Sequence, residues 1–165
     1  MSTNEQLSAN ELAAKLEGSR AALHAAIEGM DEEAFRRRTA PGEWNAAELL
    51  AHLLAHEHRM QELAQLALNE DNPAVRSRGD QAHIDGAKAA QRMPVPQIVH
   101  GLLAQRRDTL RVLQPLASQQ LARAVQHSRM GDMSVSALMR KVVDHEIEHA
   151  TQITSMRAAL AGTAS

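Results

Sequence analysis

Apolar residues recur every three or four positions in four segments of this chain, and that spacing is the strongest constraint on its fold. Residues at such spacing line one face of an α-helix. The pattern predicts helices over about 8–29, 45–69, 95–114 and 134–161. Four amphipathic helices bury their apolar faces most simply against one another. We therefore expect an all-α four-helix bundle, with residues 1–165 as a single domain.

Capping residues mark the predicted starts of three of these helices. Ser8 is followed three residues later by Glu11, and Asn45 is followed three residues later by Glu48. This is the capping-box pattern, in which the first side chain and the Glu each accept a hydrogen bond from the other's backbone N–H. Ser134 is the expected N-cap of the fourth helix. Local chemistry therefore supports the helix starts that the apolar spacing predicts.

A long polar stretch, residues 72–93, separates the second and third predicted helices. A connection of this length is unusual inside a compact domain. It can cross from one end of the bundle to the other, so that these two helices run parallel, or it can form a lid over a site. We expect a connector with one turn of helix at 31–43 and a short helical piece at 116–125. No strand is predicted.

The composition narrows the classes of function. Phe35 and Trp44 are the only large aromatic residues, so the core is aliphatic and the chain lacks platforms on which nucleic-acid bases could stack. The chain has 18 Lys and Arg against 20 Asp and Glu, which is not the basic excess that phosphate binding requires. We therefore expect no nucleic-acid partner.

The absence of cysteine excludes disulfides, thiolate metal ligands and a Cys nucleophile. No apolar run approaches the roughly 20 residues that cross a bilayer, and the N-terminus has no signal-peptide pattern. We therefore expect no membrane partner and a cytoplasmic location.

Two histidine pairs carry most of the chemical information in the sequence. His145 and His149 lie one turn apart within the apolar stripe of the fourth predicted helix, and His52 and His56 form a similar pair on the second. Side chains one turn apart have Cβ atoms roughly 5–6 Å from each other, so two such imidazoles can bind one metal ion. Alternatively, the imidazoles lie in the core and form hydrogen bonds without a metal. The spacing alone leaves both interpretations open.

Several stretches of the chain resemble the DinB-like metalloenzyme family, in particular the branch called the DinB superfamily domain. The sequence PGEWN at 41–45, followed by LLAHL at 49–53, is similar to the Trp-led start of that family's second helix, which carries a metal-binding His. Residues 127–134 are similar to its approach to the last helix. Residues 144–157 are similar to the end of the family's motif, which has two His one turn apart. The resemblance extends from the first to the fourth predicted helix.

This resemblance implies a four-helix bundle with a long crossover after the second helix. It also implies one divalent metal held by three side chains at an open end of the bundle, and these ligands map to His52, His145 and His149. His56 departs from the family pattern. Its side chain could be an extra ligand, a residue behind the ligands or part of a pocket wall. Homodimers are common in the family. Related groups have thiol-linked activities, such as transferases that use mycothiol or bacillithiol and a mycothiol-dependent maleylpyruvate isomerase.

Three imidazole ligands would leave coordination positions open, which is typical of a reactive metal and not of a structural one. Zn, Ni and Fe suit such ligands about equally well. Glu57, Glu148 and Gln152 flank the histidine pairs and are the candidates for a general acid or base, or for partners of the imidazoles. For the two Glu residues, exposure on a helix surface is the favoured interpretation. The other histidines are expected on the surface or on helix flanks, namely His24, His58, His83, His100 and His127. For His83 and His100, a position at the mouth of a pocket is the alternative.

Two functions from different classes stay open. The first is a metal-dependent enzyme, namely a thiol-dependent S-transferase or a related detoxification activity on a small-molecule substrate. Because the chain lacks Cys, its thiol must come from a low-molecular-weight cosubstrate. The second is a non-catalytic stress protein that binds a metal or a small molecule. A site closed by His56 would favour the second function, and a pocket over an open metal position would favour the first.

Overall fold

Four long helices dominate the computed structural model, which describes residues 6–163. They are α1 (Ala9–Ile27), α3 (Ala46–Asn69), α5 (Val95–Leu113) and α7 (Val135–Gly162). Three shorter helices lie between them: α2 (Glu32–Arg36), α4 (Gln81–Ala90) and α6 (Ser118–Leu121). Within the described residues, no helix is both long and apolar enough to cross a membrane.

Side-chain caps determine where three of the long helices begin. At α1, the backbone N–H of Glu11 donates to Ser8 Oγ (3.2 Å), and the N–H of Ser8 donates to Glu11 Oε2 (2.8 Å). The same reciprocal pair joins Asn45 and Glu48 at the start of α3, at 2.9 and 2.8 Å. Ser134 caps α7 by accepting from the N–H of Ala137. The caps of α3 and α7 matter most here because these two helices carry the histidine pairs.

The long helices pack as a four-helix bundle, which confirms the predicted fold class. In the bundle, α1 packs mainly on α7, α7 on α3, and α3 on α5. The first halves of α3 and α5 share one buried apolar cluster and their second halves share another, so these two helices run parallel. The first half of α7 packs against the second half of α3, so these two run antiparallel. A parallel pair that is consecutive along the chain requires the long crossover that the sequence predicts.

The crossover and the residues before α7 form a small sheet, which the sequence prediction missed. Strand β1 (Ala74–Val75) pairs in parallel with β2 (Ala124–His127), and β2 pairs antiparallel with β3 (Gly131–Ser134). Register places Ala74 opposite Gln126 and Val125 opposite Met133. Strands of two to four residues are too short to show an alternating pattern, and β1 finds its partner far along the chain. The helical piece predicted at 116–125 is therefore shorter, and it gives way to β2.

Helix α4 places the rest of the crossover against α3, with Ala87 and Ala90 buried. Together with α3 and α5 it lines an open, largely apolar pocket of about 330 Å³, whose walls include Ala51, Leu54 and Met93. The residues that line this cavity do not include His52, His145 or His149. The crossover therefore lies along α3 beside this pocket, and its Gly86 approaches the backbone of His52.

The apolar core is divided along the bundle. One cluster joins the first halves of α1 and α7 to the second half of α3, and the other joins the second halves of α1 and α7 to the first halves of α3 and α5. Buried charged side chains lie between the two clusters, and the histidine pairs lie beside the second.

Candidate metal centre

The histidines of the two pairs meet between α3 and α7. His52 projects from the first half of α3 and is only 5% exposed. His145 and His149 project from α7, one turn apart, and both are half-buried. Since α3 and α7 are antiparallel neighbours, the first half of one lies beside the second half of the other, and this places the histidines at one level of the bundle.

One ring nitrogen from each of His52, His145 and His149 lies within 4.8 Å of the other two. The Nε2 atom of His145 is 3.0 Å from Nε2 of His52 and 3.0 Å from Nε2 of His149. Zinc binds imidazole nitrogen at about 2.0–2.1 Å, so two ligand nitrogens of a tetrahedral zinc are about 3.3 Å apart. Two of the three separations are therefore within a few tenths of an ångström of the value that a shared ion would impose.

The tautomers of the three rings limit how these Nε2 atoms can hydrogen-bond to one another. His149 Nδ1 lies 2.8 Å from Gln152 Oε1, and since that oxygen only accepts, Nδ1 carries the proton and a neutral His149 presents a lone pair at Nε2. Nε2 of His145 has either one hydrogen or one lone pair. If it donates to His149, it cannot accept from His52; if it accepts from His52, it faces the His149 lone pair. A cation that takes a lone pair from all three rings resolves this conflict, so the residues fit a divalent metal.

Neighbouring side chains orient two of the clustered imidazoles. Gln152, which the sequence suggested as a partner of the imidazoles, lies one turn beyond His149 and fixes its tautomer. Trp44 packs edge-on against the His52 ring, with 5.3 Å between ring centroids. Such outer partners hold metal ligands in place and are a regular part of metal sites.

His56 lies beside the cluster, and the set of three nitrogens that come together does not include it. Its ring centroid is 4.1 Å from that of His145 and 6.5 Å from that of His52, and it is half-buried. Among the residues that the structure describes, the histidines placed to share an ion are His52, His145 and His149. His56 is therefore a neighbour of the His145 ring and is not one of the three converging histidines.

The structure separates the two glutamates that the sequence grouped with the site. Glu148 is exposed on α7. Glu57 is 2% exposed, so the expectation that it lies on a helix surface is wrong. Its carboxylate pairs with Arg20 and Arg106 and does not belong to the histidine cluster.

The remaining histidines lie outside the cluster. His24, His58 and His100 are exposed, as expected. His127 is instead 9% exposed, and its Nδ1 accepts from the backbone N–H groups of Arg129 and Met130 in the turn between β2 and β3. The side chain of His83, a candidate for the pocket mouth, lies outside the described residues.

A buried group of four charged side chains, which sequence reasoning missed, lies next to the histidines. It takes one residue from each long helix: Arg20, Glu57, Arg106 and Glu146, here called the Arg–Glu quartet. Each arginine bridges both glutamates. Arg20 lies 2.9 Å from Glu57 and 2.6 Å from Glu146, and Arg106 lies 2.8 and 2.9 Å from the same two carboxylates. All four residues are at most 6% exposed.

Helix carbonyls and a hydroxyl complete the bonding of the quartet. Arg20 donates to the carbonyl of Leu102 on α5, and Arg106 donates to the carbonyl of Leu16 on α1. The Ser19 hydroxyl lies 2.5 Å from Glu146. Burial alone would raise the pKa of Glu146, but the Arg106 and Arg20 guanidiniums and the Ser19 hydroxyl lower it below its ordinary value. Glu146 is therefore held as a carboxylate.

A signal for the quartet is present in the sequence. Each member occupies an apolar position in its helical stripe: Arg20 follows Leu16 by one turn, and Arg106 follows Leu102 by one turn. A single charged residue in a stripe is easily read as an interruption. The same interruption in all four long helices, with two charges of each sign, indicates a buried network that needs its charges paired.

Fold and site together define a four-helix bundle with a histidine cluster between two antiparallel helices. The profile of the DinB superfamily matches residues 15–153, which include His52, His145 and His149, and the protein belongs to this family. This finding confirms the resemblance seen in the sequence. No protein with a curated description matches the chain in sequence.

Two solved structures share the fold. YfiT from Bacillus subtilis, described as a probable metal-dependent hydrolase with an unusual four-helix bundle topology, superposes with a TM-score of 0.76 at 21% identity, over 96% of this chain and 94% of that chain. An uncharacterised protein from Clostridium difficile 630 has a TM-score of 0.73 at 11% identity, over 92% of this chain and 96% of that chain. At these identities, the similarity shows the fold alone.

Proposed function

We propose that the protein is a metal-dependent enzyme that binds a divalent transition ion through His52, His145 and His149 and activates a nucleophile at the remaining coordination positions. The observation that carries the proposal is the convergence of the three Nε2 atoms, two of whose separations are 3.0 Å. Three protein ligands are the pattern of catalytic metal sites, since structural sites use four.

The surroundings of the cluster favour reactivity over a closed structural site. Among the described residues, His56 is not one of the histidines whose nitrogens converge, so the ligand set that we propose has three members. His145 and His149 are half-buried, which leaves the cluster open to a small molecule. A divalent ion bound there supplies Lewis acidity, which makes a coordinated water or thiol more acidic. Zn, Ni and Fe are all compatible with three imidazoles.

The nucleophile distinguishes two versions of this function. In the first, it is the thiol of a small cosubstrate, and the reaction is an S-transfer of the kind found in related thiol-dependent groups. The chain has no cysteine, so the thiol must come from outside. In the second version, the nucleophile is water and the reaction is hydrolysis, the activity named for YfiT.

The residues of the chain have defined roles in either version. His52, His145 and His149 bind the ion, Gln152 keeps the lone pair of His149 directed at it, and Trp44 packs against His52. Glu148 is exposed on the same helix, and it stays a candidate for proton transfer near the site.

The first experiment measures metal content and activity together. Wild type and His145→Ala are loaded with Zn²⁺, Ni²⁺ or Fe²⁺ and analysed for bound metal. They are then assayed for ester hydrolysis and for transfer of a small thiol to a chlorodinitrobenzene electrophile. The control is His58→Ala, which removes an exposed histidine of α3. We expect one ion per chain in wild type and control, little in His145→Ala, and metal-dependent acceleration of one of the two reactions.

Each outcome of this experiment has a definite meaning. Wild type that binds no metal would refute the ligand assignment. Stoichiometric metal without acceleration of either reaction would favour the non-catalytic alternative, a metal-binding or small-molecule-binding stress protein. Acceleration of hydrolysis in the absence of any thiol would refute the S-transfer version.

A further inference from the structure

The Arg–Glu quartet links the two helices that carry the histidine ligands. Glu57 belongs to α3 and Glu146 to α7, and each of the two arginines binds both carboxylates. The quartet therefore ties α3 to α7 through two independent bridges, one from α1 and one from α5. These bridges lie next to the site, because Glu146 directly follows His145 in the chain.

We propose that the Arg–Glu quartet positions the metal ligands, by fixing how far α3 is shifted along α7. This inference rests on the proposed metal function, because it assigns a further role within that site. In it, Arg20, Glu57, Arg106 and Glu146 are positioning residues that do not touch the ion.

The geometry of helices shows why the axial shift must be fixed. One residue of an α-helix corresponds to a rise of about 1.5 Å and a rotation of about 100°. A slip of α3 by one residue would carry His52 Nε2 away from His145 Nε2, from which it is now 3.0 Å distant. Helix packing must therefore be accurate to a fraction of a residue for the three nitrogens to share an ion.

The apolar contacts around the site fix the axial position of α3 less accurately than the three nitrogens require. The neighbouring core is apolar and consists mainly of Leu and Ala side chains, and the free energy gained by burying them is nearly independent of direction. Hydrogen bonds to charged groups are short and directional. The contacts of the guanidiniums to both carboxylates, at 2.6 to 3.1 Å, would be lost with a shift of that size.

The quartet also orients α7 about its own axis. Glu146 faces the bundle interior, where it meets Arg20, Arg106 and Ser19. Its neighbour His145 is rotated from it by about 100°, toward α3. With Glu146 held at three contacts, the rotation of α7 that places His145 opposite His52 is determined.

The test compares metal affinity with folding stability in variants of the quartet. The main variant replaces all four residues by apolar ones of similar size: Arg20→Met, Glu57→Leu, Arg106→Met and Glu146→Leu. Such replacements of a whole buried ion network often leave stability unchanged or raise it. The second variant is Glu57→Gln. The control, Leu12→Ala, lowers stability in the apolar cluster that is remote from the histidines.

Zn²⁺ affinity is measured by competition with a chromophoric chelator, and ligand geometry by the visible absorption of bound Co²⁺. Folding is verified by urea unfolding. We expect the quadruple variant and Glu57→Gln to fold and to bind Zn²⁺ about 10- to 100-fold more weakly, the range seen when outer partners of metal ligands are removed. Their Co²⁺ spectra should change, whereas Leu12→Ala should keep the wild-type affinity and spectrum.

Other results would overturn the inference. A folded quadruple variant with wild-type affinity and an unchanged Co²⁺ spectrum would show that apolar packing positions the ligands. If the quadruple variant does not fold, wild-type Zn²⁺ affinity and an unchanged Co²⁺ spectrum in Glu57→Gln would overturn the inference in its place. Equal weakening in Leu12→Ala would mean that general destabilisation is the cause. Wild type that binds no Zn²⁺ would remove the proposed metal function itself, together with this inference.

Discussion

The Arg–Glu quartet and the histidine cluster are neighbouring polar groups in one bundle, and they differ in how their atoms are satisfied. In the quartet, two positive and two negative side chains face one another, and helix carbonyls take up further guanidinium N–H groups. In the cluster, one ring nitrogen from each of three imidazoles converges on the same place, within 4.8 Å of the other two. The quartet is self-sufficient, because its four charges pair with one another, whereas the cluster has ring nitrogens arranged as three ligands of one ion could be.

Removing one member of the quartet should have the largest effect, because it leaves a buried charge without compensation. We expect Arg106→Met to lower the free energy of unfolding by about 3–5 kcal/mol, measured by urea unfolding with a chelator present. The matched control is Arg111→Met on the same helix, which removes an exposed ion pair with Asp108. Such a pair contributes little. Equal losses of unfolding free energy in the two variants would show that the charges of the quartet do not depend on one another for compensation.

Adding a metal should stabilise the histidine cluster and leave the quartet unaffected. At a free Zn²⁺ concentration one hundred times the Kd, binding to the native state alone adds about 2.7 kcal/mol to the free energy of unfolding. We expect this increase in wild type and in His58→Ala, and none in His149→Ala. An increase that persists in His149→Ala would place the ion elsewhere.

Removing Gln152 should weaken the cluster without destabilising the metal-free fold. Gln152→Ala deletes the acceptor that fixes the His149 tautomer, so we expect Zn²⁺ affinity to fall about tenfold, the lower end for outer partners of ligands. Affinity is measured by chelator competition. Thr151→Ala is the control, because its hydroxyl bonds only within α7. An unchanged affinity in Gln152→Ala would mean that α7 alone orients His149.

His127 is a buried histidine outside the cluster, and its Nδ1 accepts hydrogen bonds from two backbone N–H groups. The smallest predicted effect concerns this residue. Burial and the charges of Arg59, Arg129 and Lys141 lower its pKa. Because the folded pKa is below the unfolded value of about 6.5, its contribution is complete above that pH and disappears as pH falls through the folded pKa.

We therefore expect His127→Ala to cost about 1 kcal/mol at pH 7.5, the net value of a hydrogen bond or two, and less at pH 5. Urea unfolding of both proteins with chelator across this range measures the difference, and chelator keeps the histidine cluster metal-free in both. A cost that grows on acidification would contradict the assigned role of neutral His127.

Local signals were sufficient to predict the bundle from the sequence. Ser8, Asn45 and Ser134 set the helix starts through contacts within three residues, and the apolar stripes set the buried faces. The sheet was not predictable in this way, since β1 and β2 are far apart in the chain and each is too short to show a period. The prediction that Glu57 is exposed was wrong for a related reason. Its partners Arg20 and Arg106 belong to other helices, so nothing close to Glu57 in the sequence indicates them.

The histidine cluster was predicted in part from spacing and in part from family resemblance. Spacing identified the pairs on α3 and α7, but it could not choose between His52 and His56, which occupy successive turns of the same helix. Only the relative placement of α3 and α7 selects His52. That placement depends on contacts between helices, including the quartet, and a single sequence does not show them.

The packing of Trp44 against His52 has a practical consequence. The chain contains one Trp and no Tyr, so its near-ultraviolet fluorescence comes almost entirely from a single indole, 5.3 Å from the ring of a candidate ligand. The protein therefore contains its own optical probe at the site. Arrival of Ni²⁺ or Cu²⁺ at His52 should quench this emission without any added label.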